Sequence, residues 1–308
     1  MELPAEIYQA HRDFLWGLCY RMTGNAADAD DLVQETFVRA LENPPRRTAE
    51  PLRPWLVRVA MNLSRDHLRR RRRHYVGPWL PSPVPTDDAE PPASYEPHAA
   101  PEESPMARYE MLESISFAFL LALEALTPLQ RAVLLLREVF DYSTKETAEA
   151  LGVTETSVKV TLHRARHAMQ AYNKDRAMPD RARREKTRQA LERFLFCLSV
   201  RDAEGLEQLL AEDVVSISDG GGEVPAALLP IRGRDKVVRF FIKTTEKDES
   251  LPRVTFRLFN GMPALLIERD SARPGHATRF TVHCDVDAAG RIHRLHFVLA
   301  PNKLSIIL

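Results

Sequence analysis

Apolar residues recur at helical spacing around Tyr8 to Tyr20, at Ile7, Phe14, Leu15 and Leu18, and Gly24-Asn25 then breaks the repeat. A second helix follows at once. Asp28, Asp30 and Asp31 suit its positive N-terminal end, Val33, Phe37, Ala40 and Leu41 form a buried stripe, and Gln34, Glu35 and Arg39 are left facing outward. After Asn43-Pro44-Pro45 and a loop to Pro54, a third helix carries Trp55, Leu56, Val59, Ala60 and Leu63 on one face. From Gly77 to Pro105 the chain is dense in proline and carries Asp87, Asp88, Glu90, Glu96, Glu102 and Glu103, so it cannot bury enough apolar surface to order itself and reads as an extended linker. Trp79-Leu80-Pro81-Ser82-Pro83 is the exception, an apolar cluster that gains by docking somewhere.

Helical periodicity resumes from Met111 to Leu126. Thr127-Pro128 supplies an N-cap and a first-turn proline for the next helix, whose stripe is Leu129, Val133, Leu134, Leu136, Val139 and Phe140. Ser143 and Glu146 have capping-box spacing, Gly152 stands where a sharp turn needs positive φ, and Thr154 can cap a further helix. Two short helices joined by a tight turn result. Ala148, Leu151, Val153, Val158 and Leu162 pack the pair together, while Glu155, Thr156, Lys159, His163, Arg164 and Arg166 face outward, the pattern of a helix-turn-helix with a basic second helix.

Beyond the polar stretch from Asn173 to Arg183 the period changes. Helices are predicted over Lys186 to Val200 and Ala203 to Leu210. Strands follow over Val214 to Ser218, Val254 to Phe259, Ala264 to Glu268, Thr278 to Asp285 and Ile292 to Leu299, with a helix at Asp235 to Thr245 between the first two. Helices first and then a curved antiparallel sheet make an α+β cone. Three glycines follow Asp219 (Gly220, Gly221, Gly222), letting the backbone approach something closely, and the tail Pro301-Asn302-Lys303-Leu304 offers a lysine that can pair with Asp219 or another acid. A loose hairpin and a frayed tail are the alternatives.

Composition adjusts this picture in two places. Lys plus Arg equals Asp plus Glu at 43 each over 308 residues, so an affinity for nucleic acid must rest on segregated charge. Such segregation exists: between Arg53 and His74 stand eight arginines and one acid, Asp66, and the run Arg69 to Arg73 is costly to hold together unless anions neutralise it. Cys19, Cys197 and Cys284 lack paired spacing, so neither zinc nor a disulfide framework is expected, nor any other metal or cofactor. With no long uncharged apolar run and no leader pattern, a soluble cytoplasmic protein without membrane contact is expected.

DADDLVQETFVRAL, then PWLVRVAMNLSRDHLRRRRR, then a helix-turn-helix ending in LHRAR resemble the two DNA-binding domains of extracytoplasmic-function sigma factors of bacterial RNA polymerase. The resemblance implies two all-α domains, sigma region 2 at 1–76 and sigma region 4 at 111–173, joined by the linker 77–110, with a hinge at 174–183 and the cone at 184–308. It implies that Asp31, Gln34, Glu35 and Arg39 meet the β′ clamp of core polymerase, with the β flap as a second contact. Trp55, Arg58, Asn62, Arg65, Asp66, Arg69 and Arg70 would engage the −10 element; Thr154, Thr156, Ser157, Lys159, His163 and Arg164 would engage the −35 element. Many relatives carry a basic residue where this chain has Thr161, which removes the cation from one expected phosphate contact.

The cone, through Asp202 to Leu210, Gly233-Arg234-Asp235 and Asn260-Gly261-Met262-Pro263-Ala264, resembles the SnoaL-like branch of the NTF2-like superfamily. That fold often encloses a pocket, so a pocket enzyme with a DNA-targeting module, using Asp219, His283 or Asp285, is one rival reading; a ligand-sensing helix-turn-helix regulator that works without polymerase is the other. The residues Trp79, Leu80 and Pro81, Asp219 with Gly220 to Gly222, and Pro301, Asn302, Lys303 and Leu304 together resemble the subgroup of these sigma factors with a fused SnoaL-like domain. The implication is a monomer when free, regulated from within its own chain and not by a separate anti-sigma protein. Ser82 and Asn302 stand where that subgroup has acids.

Overall fold

The computed structural model describes residues 5–42, 52–86, 112–175, 180–246, 252–269 and 276–307; the acidic linker residues Asp87 to Glu103 and the 176–179 part of the expected hinge lie outside them. The chain divides into two units, Met1–His74 with Glu90–Ala177, and Tyr75–Ala89 with Met178–Leu308.

In the first unit α1 (Ala5–Thr23), α2 (Ala26–Glu42) and α3 (Leu52–His74) pack on one another. Asn25 starts α2 by accepting the Ala27 amide at 3.0 Å. Val33, Phe37 and Ala40 of the expected α2 stripe are buried and Leu32 joins them, whereas Leu41, with Val38, is exposed. At 100° per residue Leu41 falls beyond the edge of the face that α1 and α3 cover. The predicted helix Met111 to Leu126 is broken at Ile115-Ser116. Ser116 accepts the Phe119 amide and starts a new helix, α4 (Phe117–Ala122), continued by a 3₁₀ turn at Leu123–Ala125. Ser114, just before the break, accepts from the buried Arg21 at 2.8 and 3.0 Å.

The hub of the unit is α5 (Pro128–Glu138), opened by a complete capping box between Thr127 and Gln130. Arg131 to Leu136 are all buried, because α1, α3, α6 (Thr144–Leu151) and α7 (Glu155–Ala168) all pack against this helix. The turn between α6 and α7 has the expected chemistry. Ser143 and Glu146 bond reciprocally, Gly152 takes φ 65°, and the Thr154 hydroxyl accepts the Ser157 amide at 3.1 Å. A short α8 (Gln170–Asp175) occupies the start of the predicted hinge.

In the second unit α9 begins at Arg181, five residues before the predicted start, because Asp180 caps it by accepting the Arg183 amide at 2.7 Å, and it runs to Ser199. After α10 (Ala203–Leu209) come β1 (Leu210–Asp219), the unpredicted two-residue β2 (Ile231–Arg232), α11 (Arg234–Glu246), β3 (Arg253–Phe259), β4 (Met262–Glu268), β5 (Arg279–Val286) and β6 (Ile292–Val298). The sheet order is β2-β1-β6-β5-β4-β3. It is mixed, not purely antiparallel as expected, since β1 runs parallel to β6. A hairpin cannot join those two strands, and the chain between them passes through α11 and the β3–β6 meander. Leu191, Phe194, Leu206, Val237, Phe241, Leu265, Val282 and Leu295 form the core between helices and sheet.

The apolar cluster at the start of the linker docks as expected, and the ordered stretch continues past it to Thr86. Leu80 to Val84 are buried, Thr86 donates its amide to Leu258 O at 2.8 Å, and Val84 and Asn260 exchange two bonds of 2.9 Å. Its composition cannot order it alone, but the rim of the sheet supplies the missing partners.

His283 and His296, opposite one another on β5 and β6, are buried; burial pushes His283 down to about 3 and His296 to about 4. Both therefore stay neutral in the fold while the unfolded chain takes up protons below its ordinary 6.5. Stability from this pair is fully present above pH ~6.5 and is lost as pH falls toward 4. Denaturation midpoints of the full chain across that range should fall, and fall less steeply in a His283→Gln/His296→Gln variant; parallel acid limbs would refute the assignment.

Candidate DNA-binding surfaces and the linker clasp

On α3 the candidate residues Arg58, Asn62, Asp66, Arg69 and Arg70 are exposed, and Trp55 and Arg65 half-buried. Spacing of three, four and seven residues sets most of them along one stripe. The arginine run is not all free for an external anion. Arg69 pairs with Asp66 at 2.7 Å; Arg71 donates to Thr23 O at 2.8 Å and to Glu124 at 2.5 Å; Arg72 donates to the carbonyls of Glu124 and Leu126. Arg70 and Arg73 are exposed and form no ion pair among the described residues. The cost of crowding five cations is thus met in part from within, by the segment that precedes α5.

That contact has a buried centre. Glu124 holds Arg131 at 2.6 Å as well as Arg71, and Arg131 also donates to Met22 O at 2.8 Å and Leu123 O at 2.6 Å. Burial pulls Arg131 down to about 10 against the opposing pull of Glu124. For Glu124 itself burial acts upward, but Arg131 and Arg71 outweigh it and the carboxyl ends below its ordinary range. Arg21, wholly buried, is pushed down to about 9 by burial. Arg65 reaches the Leu151 carbonyl at 3.4 Å, where α3 packs on α6. None of Arg21, Glu124 or Arg131 was singled out from the sequence. A charged residue inside an apolar helical stripe, Arg131 in α5, was the available signal.

On α7, Thr154, Thr156, Lys159, His163 and Arg164 are exposed and Ser157 is half-buried. Arg166 is also exposed but pairs with Glu138 at 2.5 Å. On α2, Asp31, Gln34, Glu35 and Arg39 are exposed, with Arg39 bonded to Glu35 at 2.8 Å.

The regulatory candidates meet around one carboxylate in the second unit. Asp219, with no exposed surface, accepts from Tyr75 Oη at 2.5 Å and Gly221 N at 2.9 Å on Oδ1, and from Leu80 N at 2.7 Å and Lys303 Nζ at 2.5 Å on Oδ2. Lys303, equally buried, also donates to Leu80 O, and its ammonium faces the rings of Trp79 at 4.5 Å and Tyr75 at 4.9 Å. The glycines permit this packing. A Cβ on Gly220 would stand 2.0 Å from Val224 O, and one on Gly221 3.0 Å from Ala300 Cβ. The tail is not frayed here: Pro301–Lys303 is a 3₁₀ turn and Leu304 and Ile307 are buried. Linker, glycine loop and tail thus close on each other as a clasp; Tyr75 is the member that sequence reasoning missed.

The same geometry bears on proton chemistry. Asp219 is fully engaged by donors, and His283, whose Nε2 lies 3.0 Å from Thr281 Oγ1, is held neutral by burial. No group of three or more potential metal ligands occurs among the described residues, and no described helix is long and apolar enough to cross a membrane.

Residues 7–74 match the Sigma-70 region 2 family and residues 116–169 the Sigma-70, region 4 family. The chain is 34% identical over 245 residues to the ECF RNA polymerase sigma factor SigJ of Mycobacterium tuberculosis, covering 78% of this chain and 72% of that one. It is 32% identical over 227 residues to SigG of the same species, covering 67% of this chain and 59% of the relative. The crystal structure of M. tuberculosis SigJ superposes with a TM-score of 0.70 at 27% identity, covering 98% of both chains.

Two variants of the run should separate its roles. Arg70→Ala should leave thermal stability unchanged and lower the salt slope of DNA binding by about one unit. Arg71→Ala should destabilise the first unit by about 1–3 kcal/mol in chemical denaturation. In the clasp, Lys303→Met leaves Asp219 buried beside an apolar stem and should cost about 3–5 kcal/mol, with Asp219→Asn in the same chain restoring part of it. Trp79 emission in a Trp16→Phe/Trp55→Phe background reads this directly, and an unshifted spectrum would show that the clasp does not depend on the pair.

Proposed function

From the premise that the chain belongs to the extracytoplasmic-function sigma factors of RNA polymerase, we propose that its C-terminal domain regulates promoter engagement in cis through the clasp. Promoter recognition for core polymerase is the activity of the family. The α3 stripe serves the −10 element, where exposed arginines hold backbone while an unstacked base is captured, and α7 serves the −35 duplex. The outward face of α2 serves core polymerase. Its exposed Val38 and Leu41, beside Gln34, Glu35 and Arg39, give that face the apolar centre and polar rim of a protein interface.

The observation that carries the regulatory reading is the closure of Asp219 and Lys303 on Tyr75 to Leu80. Tyr75 directly follows the last residue of α3, and the C-terminal domain is joined covalently to the far end of the region 4 segment. Closing the clasp therefore turns the linker and the whole of region 4 into one loop of chain tied at both ends to the same domain. Twelve residues, 75 to 86, are withdrawn from the tether between regions 2 and 4, about 40 Å of extended reach. A free sigma factor with its clasp closed is held short, and core polymerase favours the open form by as much as it binds that form more tightly. The contacts of Arg71 and Arg72 with the Glu124 segment, and of Arg131 with Met22 O, favour the short form independently. A protein so restrained needs no separate anti-sigma partner.

Transcription with purified core polymerase tests this on a promoter that the chain serves. Deleting Pro301 to Leu308, or replacing Lys303 by Met, should change initiation severalfold and tighten apparent binding to core, while leaving both DNA-reading surfaces in place. Initiation equal to that of the parent chain would refute the regulatory role. No initiation by the parent on any promoter would refute the assignment of surfaces.

A further inference from the structure

The recognition helix carries an apolar residue that charge pairing and core packing both leave without a role. Val160 lies in the middle of α7, and 47% of it is exposed. The buried side of the helix is occupied by Val158, Leu162 and Ala165. Val160 lies on the opposite side, one turn after Thr156 and one turn before Arg164, with Lys159 and His163 flanking it, all four exposed. A β-branched residue is among the weaker helix formers, so an exposed mid-helix valine contributes nothing to local stability that alanine or lysine would not exceed. Its surroundings are hydrogen-bond donors, which suit phosphates and base edges. Among these stripe residues Val160 is the one wholly apolar side chain. In the major groove, the apolar feature of a base edge is the C5 methyl of thymine.

We propose that Val160 is a specificity-determining residue of α7 that packs on a thymine methyl in the −35 element, flanked by polar contacts from Thr156 and Arg164. The inference rests on the reading of α7 as the −35 helix, and deepens it. Burying one methyl accounts for about fourfold in affinity, enough to discriminate at one base pair without altering the salt-dependent grip of Lys159 and Arg164.

Deoxyuridine provides the test, since it removes the methyl and keeps every hydrogen-bonding group. With the full chain and core polymerase, each thymine of the −35 element on either strand is replaced singly by deoxyuridine, and initiation is measured. One position should show about a fourfold loss. Val160→Ala, which favours the helix and leaves its caps intact, should show a similar loss on the thymine template and no further loss at that deoxyuridine. Two results would overturn the proposal: no deoxyuridine position matters although exchanging whole T·A pairs for C·G does, or the Val160→Ala chain stays as sensitive to deoxyuridine as its parent. In both, α7 remains the −35 helix. If exchanging whole base pairs in the −35 element changes nothing, the reading of α7 falls, and the role of Val160 falls with it.

Discussion

A carboxylate without exposed surface survives in a folded protein only if donors replace the water it gave up. Asp219 receives four, and they come from residues 75, 80, 221 and 303, three stretches far apart in the chain. Losing one stretch leaves charge stranded among the others, so the clasp forms whole or not at all. That cooperativity distinguishes it from an apolar seam of equal area, which would weaken in proportion to what was removed. The ammonium of Lys303 sharpens the effect, because its charge is met by one carboxylate oxygen, one carbonyl and two aromatic faces, all belonging to the same assembly.

The first unit uses the same physics at a lower degree of burial. Arg131 is enclosed, but Glu124 and Arg71 keep some contact with solvent, and Arg72 is exposed. An interface made this way opens at modest cost, since freed guanidinium groups regain water and can then meet phosphates. The arginines that tie regions 2 and 4 together adjoin those available to nucleic acid, Arg70 and Arg73. Under the proposed reading, closed and DNA-bound states would draw on one pool of positive charge, and any engagement of DNA by Arg71 or Arg72 would compete directly with their grip on the Glu124 segment.

What could be read from the chain divides along a physical line. The Ser143–Glu146 capping box, the Thr127 N-cap, the Gly152 turn, the α7 face and the longer strands of the cone were legible, because each depends on residues within four positions of one another. The chemistry of the clasp was legible in its glycines and its lysine, since only glycine fits where Val224 O and Ala300 press in. Tyr75 was not, because a tyrosine after an arginine run has no local signature of its distant acid. The parallel pairing of β1 with β6 and the acceptor of the buried Arg21 were also invisible, for the same reason: a strand's neighbour and a buried arginine's acceptor are choices made by the rest of the fold. Leu41 failed differently. Its spacing placed it at the edge of a helical stripe, where burial depends on how far the neighbouring helices extend.

The linker shows how a segment too polar to fold alone can still be held firmly. Prolines at 81, 83 and 85 alternate with Ser82, Val84 and Thr86. Each proline fixes its own φ and disfavours helix at the residue before it, so the free segment is already extended and loses less entropy on docking than a glycine-rich strand would. The same alternation removes every second backbone donor. Val84 and Thr86 bond to Asn260 and Leu258, while the prolines between them have no amide to offer, so the segment cannot extend the sheet as a full strand. Binding therefore depends on side-chain burial at Leu80 and Val84 and on the Asp219 centre, not on a continuous ladder. An attachment of that kind can be undone by disturbing one ionic pair, which is what the proposed regulation from within the chain would require.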